Sequence, residues 1–274
     1  MGNKLAIAAA LLGAVVLGVV LASFSNAQDG QSNDATEEAT ASSSFSDLQQ
    51  QEIEDIVRDY IKANPRLILE SVNAFAESER LAEEERTKEA ALANIDTLQQ
   101  EIGGFTTFEG KGTPEVVVVE FFDYHCSYCK KAAGNVRELT KKEKNVKFVF
   151  RELPILRKES ETAARYSLAA REQDKYLDFH FKLMKEPGVL TEDRILTLAK
   201  ASKLDVDALK ADAASVELIN EIQENLSTAS RLGIDGTPTF LIASADGSFI
   251  DVIPGFAPAR VKAAIEEARK ATKG

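Results

Sequence analysis

The chain has 274 residues, a formal net charge of −11 and two cysteines. So acidic a chain argues against nucleic acids and anionic membrane surfaces as partners, because both carry negative charge themselves. About 165 residues follow the N-terminal segments, enough for one core with an added helical region.

The first segment has the pattern of an export signal. Residues 5–24 are almost wholly apolar, Lys4 precedes them, and Ser25-Asn26-Ala27 follows as a small-residue cleavage site. We therefore predict a signal peptide over 1–27. An apolar run of about 20 residues is also long enough to span a bilayer, so a retained membrane anchor is the alternative. Either reading places the rest of the chain outside the cytoplasm, where disulfides form.

Residues 28–44 are polar and lack Lys and Arg, which predicts a disordered linker. Residues 45–104 then show helical spacing of apolar side chains, interrupted at Asn64-Pro65, where a second helix begins. This helix is predicted to extend to about Ile102. The apolar stripe consists of Ile53, Ile56, Val57, Tyr60, Ile61, Leu67, Ile68, Leu69, Val72 and Phe75.

The stripe needs a covering surface. We expect it to drive self-association, with the charged stretch Glu77–Glu89 left in solvent. Packing on the catalytic part of the same chain is the alternative.

Residues 105–274 have the element order of an α/β domain. The predicted elements are a buried strand over 116–122, a helix to about 142, a strand over 146–151, a helical insertion over about 158–232, strands over 239–243 and 249–253 around an Asp246-Gly247 turn, and a last helix over about 258–271.

The two cysteines are three residues apart, in Cys126-Ser127-Tyr128-Cys129, between the first strand and the following helix. At a helix start this spacing places both thiols on one face, close to disulfide distance. Unpaired N–H groups and the helix dipole favour a thiolate at Cys126. Cys126 is therefore the predicted nucleophile, and Cys129 the thiol that resolves a mixed disulfide.

A cysteine pair with this spacing also occurs in zinc sites and in structural disulfides. A closed zinc site needs four ligands, but no second cysteine pair exists and the histidines are His125 and His180. A purely structural disulfide across two residues closes too short a loop to constrain the unfolded chain. No cofactor and no resident metal is predicted.

The chain resembles the DsbA-like branch of the thioredoxin superfamily. The resemblance rests on Val-Val-Glu-Phe-Phe-Asp-Tyr-His-Cys-Ser-Tyr-Cys-Lys, on Phe-Arg-Glu-Leu-Pro-Ile-Leu over 150–156 and on Gly236-Thr237-Pro238-Thr239-Phe240. It covers about 113–273 and implies a thioredoxin-like fold with an inserted helical domain. The preceding segment, with Ile56-Val57-Arg58-Asp59-Tyr60-Ile61, resembles the oligomerisation stalk of ScsC-type proteins, which are periplasmic.

The resemblance assigns further roles. Pro238 would be a cis-proline facing the dithiol, with an ordinary trans turn as the alternative. The backbone of Thr237 would then pair with an extended substrate. Glu120, inside an apolar strand, would have a raised pKa and accept the proton of Cys129, unless a nearby lysine neutralises it.

The chain departs from the strongest oxidases of the family, which carry a histidine between the thiols. Ser127 and Tyr128 stand there instead, so the dithiol is predicted to be less oxidising. His125 either compensates in part or faces solvent without a role, and His180 is predicted to pack within a helix. The predicted substrate-contacting residues are Ser127, Tyr128, His125 and Thr237.

The sequence thus predicts a periplasmic protein thiol–disulfide oxidoreductase, with isomerase or reductase activity in a homodimer or homotrimer. Its partners would be proteins with cysteines or disulfides and a membrane redox protein that recycles the dithiol. A copper-binding or chaperone-like module, using the cysteines and His125 as soft ligands, is the alternative.

Overall fold

The computed structural model describes residues 45–98 and 104–272, which divide into two compact units at residues 63 and 64. The predicted signal or anchor over 1–27 and the linker over 28–44 lie outside the described residues. Among the helices that are described, none is both long and apolar enough to cross a membrane.

The first unit contributes helix α1 (Asp47–Ala63). Its apolar residues recur at helical spacing, as predicted, yet none of the helix's side chains is buried. An amphipathic helix of this kind gains most of its stability from a covering surface.

Helix α2 (Pro65–Ala93) opens the second unit, with Pro65 in its first turn, where the missing N–H costs nothing. It ends at Ala93, short of the predicted limit near Ile102, because Asn94 leaves helical geometry and its side chain bonds back to Ala90. A short helix α3 (Ile95–Leu98) follows.

A five-stranded sheet forms the centre of the described part of this unit. Its strands are β1 (Gly104–Thr107), β2 (Val116–Phe122), β3 (Val146–Glu152), β4 (Thr239–Ser244) and β5 (Ile250–Pro254), in the order β1-β3-β2-β4-β5. Strands β2 and β3 are parallel and the other neighbours are antiparallel.

The helices of the α/β domain follow the predicted order. They are α4 (Ser127–Lys142), α5 (Lys158–Ala169), α6 (Tyr176–Lys185), α7 (Glu192–Ala201), α8 (Val206–Ala213), α9 (Val216–Arg231) and α10 (Pro258–Ala271), with a 3-10 turn over Ala170–Gln173. Helices α5–α9 form the predicted insertion. Three of them begin at side-chain caps, Thr191, Asp205 and Ser215, which accept otherwise unpaired N–H groups.

Strand β1 was not predicted. Its four residues are too few to show an alternating pattern, and among the described strands it pairs only with β3. Gly104 approaches that strand so closely that an added Cβ would lie 1.8 Å from the carbonyl oxygen of Phe150. A side chain at this position would push β1 off the sheet.

Two apolar clusters pack on the sheet. The larger one joins α4, α10 and the helical insertion, while the smaller one includes Val117, Phe121 and Leu241. Ala91 of α2 and Leu98 of α3 are fully buried in the smaller cluster. The end of the predicted stalk therefore forms part of the domain core.

This packing corrects the expectation that Glu77–Glu89 stays in solvent. Thr87 is buried, and Glu84 forms an ion pair with Arg260 at 3.4 Å. Lys88 approaches Asp251 of β5 at 3.3 Å. The charged stretch is solvated on one side only, and its other side lies on β5.

Candidate active site: a dithiol at the start of a helix

Cys126 occupies the N-cap position of α4, at the end of a three-residue loop that follows β2. Its backbone N–H donates to the carbonyl oxygen of Asp123 at 3.1 Å, which closes the loop. The Sγ atom accepts the backbone N–H of Cys129 at 3.1 Å. The same sulfur lies 3.1 Å from the carbonyl oxygen of Thr237, to which the thiol can donate. Both cysteines are free thiols.

The two thiols differ in acidity. Hydrogen bonding from Cys129 is the main cause that lowers the pKa of Cys126 to about 6, against the opposing effect of desolvation. The start of α4 also favours negative charge there. Cys129 is fully buried, and this burial raises the pKa of its thiol well above the usual range. One sulfur is therefore ready to attack while the other keeps its proton.

Glu120 lies on β2, level with Phe150 of β3 and Phe240 of β4. Burial raises the pKa of its carboxyl to about 8, and the negative charge of Cys126 adds to the shift. The carboxylate in turn raises the pKa of Cys129. No lysine lies within ion-pair distance of Glu120 in the described residues, so the neutralised alternative has no support.

The Thr237–Pro238 peptide bond is cis. The loop is held on both sides, since Thr239 Oγ1 donates to the carbonyl of Gly236 at 2.8 Å and Gly255 N–H donates to that of Pro238 at 2.7 Å. This arrangement presents the Thr237 carbonyl directly to the sulfur of Cys126.

The two residues between the cysteines face outward. Tyr128 is 55% exposed, and the ammonium of Lys131 lies 4.9 Å from the centre of its ring. Ser127 is also exposed. Both side chains are therefore available to an incoming partner.

His125 does not face solvent, and both its ring nitrogens are engaged. Nε2 accepts the backbone N–H of Leu190 at 2.9 Å, which leaves the proton on Nδ1, directed at Ser160 Oγ, also at 2.9 Å. Desolvation is the main cause that lowers the pKa of this imidazole. A neutral, fully bonded histidine cannot supply the positive charge that was considered for stabilising the Cys126 thiolate.

Asp123 and Ser160 were missed by the sequence analysis. The buried carboxylate of Asp123 accepts the N–H of His125, the hydroxyl of Ser160 and the N–H of Leu156 at 2.7–3.0 Å. These bonds tie the loop before Cys126 to the start of the helical insertion. An acid directly after an apolar strand was a visible signal, but its partners Leu156 and Ser160 lie more than 30 residues away along the chain.

A second buried polar cluster lies beneath this loop. Glu152 accepts the hydroxyls of Tyr124 and Tyr176 at 3.1 and 3.0 Å, and Tyr124 also contacts His180 Nδ1 at 2.9 Å. Burial raises the pKa of Glu152 and lowers that of His180 to about 3. His180 thus packs within α6 as a neutral ring, as predicted.

The described residues contain no group of three or more His, Cys, Asp or Glu side chains placed to hold a metal ion. His125, the third ligand considered for copper, has both nitrogens engaged.

The sheet order, the helical insertion and a dithiol opposite a cis-proline define a thioredoxin-type fold of the DsbA-like class. The family model for the DSBA-like thioredoxin domain matches residues 117–265. A second model, described as the copper resistance protein ScsC N-terminal domain, matches residues 49–80. The chain belongs to the DsbA-like thiol–disulfide oxidoreductase family, and carries in addition an ScsC-type N-terminal domain.

Solved structures agree with this assignment. A thioredoxin-like oxidoreductase from Silicibacter pomeroyi is 37% identical, covers 64% of this chain and 97% of its own, and has a TM-score of 0.57. BcfH from Salmonella enterica Typhimurium is 26% identical, with 81% and 96% covered and a TM-score of 0.65.

Among curated proteins, a Na(+)/H(+) antiporter NhaA 1 from Salinispora arenicola is 32% identical over 129 residues. That match covers 46% of this chain but only 20% of the antiporter. The chain thus spans about a fifth of the length of such relatives.

Proposed function

We propose that the protein catalyses thiol–disulfide exchange on protein substrates outside the cytoplasm, through Cys126 and Cys129. The observation that carries this proposal is the different position of the two thiols: Cys126 lies at the N-cap of α4 and its sulfur accepts a backbone N–H, whereas Cys129 is fully buried. Near neutral pH Cys126 is largely thiolate, since its pKa is lowered to about 6, whereas the buried Cys129 stays protonated. An exchange enzyme needs this inequality, because one sulfur attacks and the other waits.

In the first step the Cys126 thiolate attacks one sulfur of a substrate disulfide. A bond forms between Cys126 and that sulfur, and the other substrate sulfur leaves as a thiolate. In the second step Cys129 loses its proton and attacks Cys126. The first substrate sulfur then leaves, so the substrate is reduced by two electrons and the pair becomes a disulfide. Isomerisation follows if a substrate thiolate displaces Cys126 instead.

Glu120 is proposed to accept the Cys129 proton. In the free reduced protein the Cys126 thiolate helps to keep this carboxyl protonated. Once Cys126 is in a mixed disulfide its charge is gone, so the pKa of Glu120 falls and its carboxylate becomes available. The base is thus formed at the step that requires it.

The intervening residues support isomerase or reductase activity over strong oxidation. A positive charge next to Cys126 would stabilise the reduced form and make the dithiol more oxidising. Ser127 and Tyr128 bring none, and the neutral His125 does not replace it.

Variants of each thiol test the chemistry. Cys126→Ala should abolish reduction of a protein disulfide, while Cys129→Ala should accumulate mixed disulfides visible by mass spectrometry. Ser127→Ala, at an exposed position between them, is the control and should retain exchange. Mixed disulfides formed through Cys129 in the Cys126→Ala variant would reverse the proposed roles.

We also propose that residues 45 to about 76 set a homodimer or homotrimer. The ScsC-type match covers residues 49–80, and the apolar side chains there are exposed, with Phe75 at 67%. Several active sites around one substrate raise the local concentration of thiolate. The domain itself is proposed to begin near residue 77, because the end of α2 packs on it.

Light scattering combined with refolding of scrambled ribonuclease tests the oligomer. A chain starting at Glu77 should be monomeric, should lose isomerisation and should keep simple dithiol exchange. A monomeric full-length protein, or equal isomerisation by both chains, would contradict the proposal. The in vivo redox state of the two cysteines would show the direction of electron flow. It would also show whether a membrane partner keeps them reduced in the periplasm.

A further inference from the structure

A cavity of about 280 Å³ lies beside the proposed active site, between α2 and the loop that ends in the cis-proline. Its lining includes Thr237 and Pro238 on one side and Glu83, Glu84 and Thr87 on the other. The charged end of the N-terminal segment therefore forms one wall.

This wall is fixed in place. Arg260 contacts Glu84 at 3.4 Å and Asp251 at 3.2 Å, so one guanidinium joins α2 to β5. Gly233 has a φ of 70° and lies so close to α2 that an added Cβ would be 2.9 Å from Glu83 Oε1. The positive φ favours glycine at this position.

The cavity adjoins the reacting sulfur, because Thr237 both lines the cavity and contacts the sulfur of Cys126. Its carbonyl oxygen lies 3.1 Å from Cys126 Sγ. An extended peptide that pairs with this loop advances about 3.3 Å per residue. A substrate with its cysteine at Cys126 would thus place a neighbouring side chain at the cavity.

The lining has a definite chemical character. Ile234 and Val252 are buried apolar residues there, whereas Asp235 is exposed and has no ion pair within the described residues. The Thr87 side chain lines the cavity and is 5% exposed, yet its hydroxyl bonds to nothing in the described part of the chain. A hydroxyl that lines a cavity and has no protein partner leaves a hydrogen-bonding position open for a ligand.

We propose that this cavity receives a lysine or arginine side chain of the substrate, next to the substrate cysteine. The aliphatic stem would lie on Ile234 and Val252, and the cationic head would reach Thr87, Glu83 and Asp235. Arg80 and Glu84, which also line the cavity, form an ion pair with each other. Arg86 pairs with Oε2 of Glu83 at 2.5 Å, and Oε1 of Glu83 lies beside Gly233 on the cavity side. The proposal names a substrate preference and rests on the proposed exchange function.

Short peptides provide the test. Each contains one cysteine, held as a mixed disulfide with glutathione, and has lysine, leucine or glutamate at one of the two positions on either side. Stopped-flow mixing with the reduced full-length protein gives the second-order rate constant of attack. At one of these positions lysine should be faster than glutamate by at least about threefold, the scale of partly exposed ion pairs.

Two variants locate the effect. Glu83→Gln combined with Asp235→Asn should remove the lysine preference, while Glu89→Gln, an exposed acid of the same helix outside the cavity, should retain it. Thr87→Val should slow the lysine peptide but not the leucine peptide. Equal rates for lysine and glutamate at every position would overturn the proposal, as would a lysine preference that survives the double variant.

A small aromatic disulfide separates the two proposals. It reacts with Cys126 without reaching the cavity, so its rate should be the same in every cavity variant. If it fails to react with the unmodified protein, the exchange function itself is wrong. If it reacts and the peptides show no removable preference, only the cavity assignment fails.

Discussion

The backbone N–H of Cys129 donates to the sulfur of Cys126 across 3.1 Å. One cysteine of the pair thus stabilises the negative charge of the other, while its own thiol remains in the core. The bond forms because Cys126 is the N-cap of α4 and Cys129 lies in the first turn of that helix.

Cys126 should react with iodoacetamide in a pH-dependent manner with a midpoint near pH 6, and Cys129 should remain unmodified in the folded reduced protein. The reason is the lowered pKa of the first thiol and the burial of the second. Mass spectrometry of peptides after short labelling gives both results. Labelling of Cys129 first, or a midpoint near the ordinary value of about 8.5, would contradict it.

The ionised sulfur should also stabilise the reduced fold. Because the folded protein releases the Cys126 proton at about pH 6 and the unfolded chain near 8.5, the unfolded chain binds more protons between these values. The free energy of unfolding should therefore increase from pH 6 to 8.5, relative to that of Cys126→Ala. Urea denaturation with a reductant present measures this difference, and parallel curves for the two proteins would exclude it.

Glu120→Gln should slow the second step of exchange by about tenfold or more, because it removes the proposed base. Glu120 should also make the free energy of unfolding depend on pH, in the direction opposite to the effect of Cys126. The folded protein holds the Glu120 proton up to about pH 8, whereas the unfolded chain releases it near 4.3, so this carboxyl destabilises the fold as pH rises through that window.

The free energy of unfolding of the Glu120→Gln variant, relative to that of the parent protein, should consequently increase between pH 5 and pH 8, by a few kcal/mol at most. Urea denaturation at both pH values measures the gain, and single-turnover release of substrate measures the rate. An unchanged rate together with an unchanged stability difference would leave Glu120 as a packing residue.

Ser160→Ala should destabilise the protein by about 1–3 kcal/mol, because the buried Asp123 carboxylate and the His125 ring each lose a hydrogen-bond partner. Ser230→Ala, at an exposed position on α9, is the matched control and should change the unfolding free energy very little. Urea denaturation compares the two. Similar values for both variants would show that the Asp123 cluster contributes nothing to stability.

A chain starting at Thr106 should be less stable than one starting at Glu77 by several kcal/mol. The shorter chain lacks Ala91 and Leu98, two fully buried members of the smaller apolar cluster, and so exposes part of that cluster. It also lacks the carbonyls of Thr97 and Leu98 that accept from the buried Arg151. Thermal unfolding of both chains gives the answer. Equal midpoints would mean that the end of α2 is dispensable for the domain.

The sequence predicted the order of the strands and helices because local signals mark them. A continuous apolar run predicted β2, and the turn residues Asp246 and Gly247 predicted the last hairpin. Asn64-Pro65 predicted the start of α2. Strand β1 and the end of α2 have no such signal. Their positions depend on β3 and on the Asn94 side chain, which are contacts of the folded chain.

The same distinction applies to the candidate site. The spacing of Cys126 and Cys129 and the lone acid Glu120 are visible in the sequence. The engagement of His125 by Leu190 is not, because the two residues are 65 positions apart. The sequence also predicted too much solvent exposure for the charged part of α2. A charged side chain need not be exposed when the fold places an opposite charge beside it, as Arg260 is placed beside Glu84.

Helix α2 is continuous over 29 residues, which corresponds to about 40 Å of length. Its first half exposes Leu67, Val72 and Phe75, and its second half is fastened to β5 and borders the cavity beside Thr237. The first half of the helix is thus exposed, and the second half is anchored to the domain. If both proposals hold, a partner chain that covers the exposed half is joined through one continuous helix to the wall of the cavity beside the reactive sulfur.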